Sequence, residues 1–149
     1  VFARLCDMQE RHDAGDVLTR LVVLNGLKKP HIYDRLSLSN AQMRDIENIV
    51  AASVLLKSIS KKKTREAVYR FGNRIAVQGY LLRLAVKDDF PDLDVLDVAR
   101  YWQAPVFPVS GNDLIAAGMI PGPALGEKLA KLESKWIKKD FPSDVTYRK

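Results

Sequence analysis

Ser39-Asn40-Ala41-Gln42-Met43-Arg44-Asp45-Ile46-Glu47-Asn48-Ile49-Val50-Ala51-Ala52-Ser53-Val54 is the stretch whose reading decides the fold. It opens on a capping-box pattern, in which the Ser39 hydroxyl accepts from the Gln42 amide and the Gln42 side chain reaches back. Met43, Ile46, Val50 and Val54 then recur at spacings of three and four, one apolar face of a helix expected to end near Ser58. The same period repeats outward. Asp16 to Asn25 reads as a short helix stopped by Gly26 and Pro30, with Lys28 to Leu38 as a connector. After a lysine-rich turn, helix resumes at about Lys63 with Val68, Phe71 and Ile75 as its buried stripe, continuing to Leu82. Gly72 lies inside that pattern, where it costs about 1 kcal/mol relative to alanine, and marks a kink or a close helix crossing. Asp88-Asp89-Phe90-Pro91 breaks the pattern. Asp92 or Asp94 caps the next helix, which buries Val95, Val98 and Trp102 and stops before Pro105.

Period-2 alternation of β-branched residues holds nowhere for long. The fold class expected is all-α, a multi-helix bundle with a C-terminal helix-hairpin-helix-like tail. The loop Ala104 to Val109 is the best boundary, giving a helical body over 1–104 and a helical tail over 105–149, with one compact unit as the alternative. Hydrophobic residues make up 47 % of the chain, so a packed core is expected rather than disorder. Cys6 is the only cysteine, which rules out an internal disulfide and makes a reducing cytoplasm the natural compartment. No apolar run approaches the roughly 20 residues that span a bilayer, and no signal-peptide pattern opens the chain. A soluble protein without a membrane partner is expected. The first residue is Val1, and the apolar pattern starts abruptly at Phe2, Leu5 and Met8. A piece of a longer protein is the expectation, a processed chain the alternative.

Enzyme chemistry finds only decoys. Asp92-Leu93-Asp94 has the spacing with which nucleotidyl transfer holds two metal ions, but that chemistry needs a rigid strand. Here the pair follows Phe90-Pro91 and opens a helix, which reads as capping. Asp97-Val98-Ala99-Arg100 is an i, i+3 pair of the kind that decorates helix surfaces. His12 and His31 are the only histidines, without the clustered cysteines or carboxylates of a metal site. Phosphate-binding glycine loops, dinucleotide fingerprints and nucleophile elbows are lacking. No catalytic residue and no cofactor are assigned within this chain.

Binding chemistry is more legible. The formal net charge is +6 and the pI near 9.5, an excess that favours polyanions through counterion release; a solvated basic surface stands equally beside that reading. In the tail, Ser110 and Asp113 form a second capping box, and Gly118 ends the helix they start. Gly122 is an N-cap with Pro123 at the first helical position. Gly122 and Gly126 would let another surface approach the amides of that helix start, although a hairpin that only packs fits as well. Leu125, Leu129, Leu132 and Trp136 make a core-facing stripe. Lys128, Lys131, Lys135 and Lys138 run beside it, a like-charged row that Glu127 and Glu133 offset only in part and that a polyanion would relieve. A second basic cluster spans Lys57, Lys61, Lys62, Lys63, Arg65, Arg70 and Arg74. Within it Lys63, Arg70 and Arg74 are expected on one helix face, and Tyr69 between the arginines is placed to stack on a base or ribose. Two basic surfaces on one small helical chain suit a long folded RNA.

Taken as a run, S-G-N-D-L-I-A-A-G-M-I-P-G-P-A-L-G-E-K-L-A-K-L-E-S-K-W-I from Ser110 to Ile137 closely resembles the C-terminal region of bacterial tRNA nucleotidyltransferases, the CCA-adding enzymes. R-L-S-L-S-N at Arg35 to Asn40 and Y-R-F-G-N at Tyr69 to Asn73 resemble the body region of the same family. The resemblance implies a parent with a catalytic head, using a divalent metal such as Mg and CTP and ATP, followed by neck, body and tail. The head pattern, a G-S pair followed by D-x-D on a sheet, is missing here. The neck signature E-D-x-x-R is missing too, since Leu96 stands before Asp97-Val98-Ala99-Arg100, which also falls too late. What remains resembles body and tail, which in this family hold the tRNA elbow and acceptor side, so the chain alone is expected to be inactive. The expected partners are tRNA and the parent's own N-terminal catalytic head, with a homodimer possible. The expected contacts are Lys128, Lys131 and Lys135 on phosphates, Gly122 to Gly126 letting backbone approach, and Lys62, Lys63, Arg70 and Arg74 as a second, weaker surface. A helical dimerisation or docking module anchored by an exposed Trp102 or Trp136 is the alternative, and a sibling poly(A) polymerase shares the architecture.

Overall fold

The computed structural model describes residues 1–26 and 36–143; residues 28–35 of the expected connector, with Arg35 of the R-L-S-L-S-N run, lie outside them. Among the described residues the protein is all-α, with eight helices: α1 (Phe2–Arg11), α2 (Val17–Leu24), α3 (Asn40–Leu55), α4 (Lys61–Phe71), α5 (Asn73–Lys87), α6 (Leu93–Tyr101), α7 (Gly111–Ala116) and α8 (Pro123–Lys138). They divide between two compact units, Val1–Gln103 and Ala104–Lys149. No helix among the described residues is long and apolar enough to cross a membrane.

The first unit is a six-helix bundle around α5. That helix is apolar almost all round, and ten of its residues are buried, from Ile75 to Ala85; a helix of this kind belongs at the centre of a core. One side packs with Leu5 and Met8 of α1, Ala67 and Val68 of α4, and Val95, Leu96 and Ala99 of α6. The other side, through Ile75 and Leu82, packs on Val22 of α2 and on Ile46, Ile49 and Ala52 of α3. Ser39 and Gln42 form the expected capping box at the start of α3. The buried face of α3 is nevertheless rotated from the expected one. It runs Ile46, Ile49, Ala52, Ser53, while Val54 is 66 % exposed. Small residues win this face because α5 comes close: a Cβ built on Gly79 would lie 2.5 Å from the Ala52 Cβ and 3.0 Å from its backbone carbon.

The single helix expected from Lys63 to Leu82 is in fact two. Gly72 has φ +82° and ψ 163°, a region open essentially to glycine alone, and nothing lies within 4 Å of where its Cβ would stand. Gly72 is therefore a break, and the close crossing falls at Gly79. Asn73, just after the break, donates its side-chain amide to the carbonyls of Ala99 and Trp102, both at 3.0 Å. This satisfies acceptors that the end of α6 would otherwise leave unpaired. Asp92 caps α6 by accepting from the amides of Asp94 and Val95, and the Tyr80 hydroxyl accepts from the Asp92 amide at 2.8 Å.

Two buried glutamines tie α1 to α5. The Gln9 side chain, 0 % exposed, donates to Gln78 Oε1 at 2.8 Å, and Gln78 Nε2 donates to the Ala14 carbonyl at 2.9 Å. Arg20 Nε completes the chain by donating to Gln9 Oε1 at 2.8 Å. Gln78→Leu strands a donor on Gln9 and the Ala14 carbonyl, and an unsatisfied buried group costs about 1–3 kcal/mol. Urea unfolding is expected to show a loss of that size. The double variant Gln9→Leu, Gln78→Leu should recover part of it, and a neutral single variant would contradict the network.

The second unit is a helical hairpin. Ser110 and Asp113 form the expected capping box on α7. The helix closes in a Schellman arrangement, with Gly118 at φ +93° donating to the Ile115 carbonyl and Met119 donating to Leu114. α8 ends the same way: Asp140 stands at φ +66°, its amide donates to Ile137, and Phe141 donates to Trp136. Trp136 is only 4 % exposed. Its ring meets Phe107 at 5.2 Å and Phe141 edge-on at 5.0 Å, and its indole N–H donates to the Pro142 carbonyl at 2.9 Å. The expected exposed anchor at Trp136 is therefore a core residue of the tail.

Candidate nucleic-acid interface

α8 presents the features that bear on binding. At 100° per residue, Lys128, Lys131, Lys135 and Lys138 fall within an arc of about 80°, over about 15 Å of helix. All four are exposed. Lys131 reaches Glu127 at 3.9 Å, with both side chains well exposed, and such a pair contributes little and is screened by salt. Among the described residues Lys128, Lys135 and Lys138 form no ion pair. The stripe beside them turns inward only partly: Leu125, Leu129 and Leu132 are half-buried, while Trp136 and Ile137 are buried.

The bend before α8 carries fewer open amides than its glycines suggest. Gly122 is the N-cap, without a side-chain cap, and Pro123 follows. Pro121 and Pro123 have no N–H, the amides of Gly118 and Met119 serve the Schellman closure, and Leu125 donates back to the Gly122 carbonyl at 3.1 Å. The space is open, since a Cβ on Gly122 or Gly126 would meet nothing within 4 Å. The row of ammonium groups, rather than the bend, is the stronger anion-attracting element of the tail.

The second basic cluster is organised differently. Because Gly72 ends α4, Arg74 sits on α5, apart from the helix that carries Lys63 and Arg70. Glu66 lies between the latter two at spacings of three and four, meeting Lys63 at 2.8 Å and Arg70 at 3.0 Å. Arg74 is held by two carboxylates, Asp16 at 3.1 Å and Asp45. Lys61, exposed, pairs with Asp94 at 2.7 Å; that hydrogen bond and charge hold the Lys61 ammonium up and the Asp94 carboxyl down. Lys62 is exposed and, among the described residues, forms no ion pair. Of the four expected contacts on this surface, three are thus engaged within the protein. The i, i+3 and i, i+4 positions of Glu66 were readable from spacing; Asp16 and Asp45 reach Arg74 only through the tertiary fold.

Burial pushes the Glu66 carboxyl up, but the hydrogen bonds and charges of Lys63 and Arg70 more than reverse this, and it ends below its ordinary value. A carboxyl lowered by folding stabilises above its unfolded value, near 4.5, and the gain disappears as pH falls through the lower folded value. Glu66→Gln is therefore expected to cost about 1 kcal/mol at neutral pH. The gap to the parent chain should close in strong acid, as urea melts at the two pH values would show.

The decoys also find their places. Asp92 caps α6 and Asp94 pairs with Lys61. Arg100 donates to the His12 carbonyl in place of the expected surface pair with Asp97. Among the described residues no group of three or more His, Cys, Asp or Glu is placed to hold a metal.

No family model, curated protein or solved structure matches this chain. The functional reading accordingly rests on the chemistry of the two basic surfaces.

Proposed function

We propose that the chain is the RNA-gripping body and tail of a CCA-adding tRNA nucleotidyltransferase. The observation that carries the reading is the exposed, largely unneutralised lysine row on α8. A like-charged row costs a helix stability, and a phosphate track laid along it reverses the sign. The partner is tRNA, recognised by shape and backbone charge, because the major groove of an A-form helix is too narrow for side chains to read. Lys128, Lys131 and Lys135 make the phosphate contacts, with the open ground at Gly122 and Gly126 beside them. Lys62 leads a weaker second surface, in which Lys63, Arg70 and Arg74 act only by exchanging an internal carboxylate for phosphate. Nucleotide transfer, with its Mg, CTP and ATP, belongs to the parent's catalytic head, and the setting is the cytoplasm. The choice between CCA addition and the sibling poly(A) activity also resides in that head.

The half-covered leucines 125, 129 and 132 favour one second reading, a module that dimerises or docks on its own head. Gel filtration with filter-binding titrations at two salt concentrations separates the two. Salt-sensitive tRNA binding by a monomer supports the RNA reading. A dimer indifferent to RNA overturns it.

A further inference from the structure

A cleft of about 400 Å³ opens in the body where the α1–α2 loop meets the start of α5 and the end of α6. Its size falls within the range of small-ligand sites. We propose that it binds a nucleoside 5′-monophosphate unit. Arg100 lines it with Asp13 and Asp16, and among the described residues this half-buried side chain forms no ion pair with either carboxylate; its hydrogen bond there goes to the His12 carbonyl. A guanidinium carries five N–H donors in a planar fork that matches phosphate, so Arg100 takes the phosphate. Arg74, also in the lining, is already neutralised by Asp16 and Asp45.

Tyr101, next in the chain, lines the same cleft and is 69 % exposed, a ring available for stacking a base. Asp13 at the rim is an exposed carboxylate suited to accept from ribose hydroxyls. Gly15 is the remaining clue. Its φ lies outside the left-handed region and a Cβ there would meet nothing within 4 Å, so neither backbone nor packing requires glycine. Bare backbone at a cleft rim leaves room for a ligand to approach closely. Phosphate, sugar and base thus each have a matching group around one opening. The unit is either a free nucleotide or an unpaired nucleotide of a folded RNA. The assignment stands apart from the lysine row, because it is read with mononucleotides.

Calorimetric titration of the full chain with AMP, CMP, GMP, UMP and inorganic phosphate tests it, alongside an RNA hairpin with one bulged nucleotide and its fully paired counterpart. The expected result is saturable one-to-one binding of at least one mononucleotide, with inorganic phosphate weaker by about tenfold or more because it lacks the stacking partner. Arg100→Gln and the cleft-filling Gly15→Leu should each weaken binding by about tenfold or more, the loss of a charged hydrogen bond setting the scale. Thermal melts confirm that the variants fold, and Gly15→Leu serves if Arg100→Gln does not. Tighter binding of the bulged hairpin than of the paired one identifies an RNA nucleotide as the source; equal hairpins with intact mononucleotide binding identify a free nucleotide. No saturable mononucleotide binding in the millimolar range, phosphate binding as tightly as AMP, or unchanged affinity in the folded variants overturns the proposal.

Discussion

Replacing Lys128, Lys131 and Lys135 together by alanine lowers tRNA affinity by about two orders of magnitude at 0.1 M salt, on counterion-release arithmetic of nearly one logarithmic unit of salt dependence per phosphate contact. The three side chains are exposed on one face of α8, and among the described residues Lys131 alone of the three forms an ion pair, with the exposed Glu127 at 3.9 Å. Little within the protein is lost on removing them. Alanine is the best helix former, so α8 should persist and the melting temperature should stay or rise as repulsion falls. The salt slope of log affinity is expected to drop by about three, roughly one per lysine, and to do so alike for tRNAs of different sequence. Filter binding across a salt series reads both quantities. A folded triple variant with unchanged affinity and slope would end the tail assignment. By contrast, Arg74→Ala should act chiefly on stability, since its guanidinium bridges Asp16 and Asp45.

The largest stability effect is expected at Gly79. On an exposed helix, glycine to alanine gains about 1 kcal/mol. Here the added methyl would stand 2.5 Å from the Ala52 Cβ and 3.0 Å from backbone atoms of Ala52 and Ser53. None of these atoms is the far end of a flexible side chain, so α3 and α5 must move apart along their shared face. Overpacking a tight core costs typically 1–3 kcal/mol and sometimes more. With two of the three contacts on backbone the cost falls at the top of that range, so less the helix gain we expect a net loss of about 2 kcal/mol for Gly79→Ala, and failure to fold for Gly79→Val, against a total stability of about 5–15 kcal/mol for a domain. Thermal and urea denaturation measure it. Adding Ala52→Gly removes the nearest of the three contacts and should restore part of the loss. Stabilisation by Gly79→Ala, the result for an uncrowded helix, would show that the crossing is looser than described.

How far the sequence spoke for the structure follows from the range of each interaction. The capping boxes at Ser39–Gln42 and Ser110–Asp113 are contained in four residues each, and both were legible. Gly118 and the Gly122-Pro123 start of α8 were equally local. The face of α3 was not, because what selects Ala52 over Val54 is the backbone of α5 far along the chain. Gly72 announced an irregularity, and its kind was settled only by the left-handed backbone. At the candidate interface, spacing was enough to place the α8 lysines on one exposed arc. It could not tell that Arg74 would meet two carboxylates from α3 and the α2 cap, nor that Arg100 would leave Asp97 for the His12 carbonyl. Charges four residues apart can be paired on paper; those brought together by folding cannot.

Because α5 is shared by both halves of the body core, neither half can mature while the ribosome still holds that segment. Residues up to Phe71 emerge with their apolar faces lacking the surface that covers them, and α6 comes later still. Assembly of the body should therefore be one late, concerted event, and chains cut before Lys87 should remain protease-sensitive throughout instead of yielding a stable sub-fragment. The nascent body would be a customer for holding chaperones during that interval.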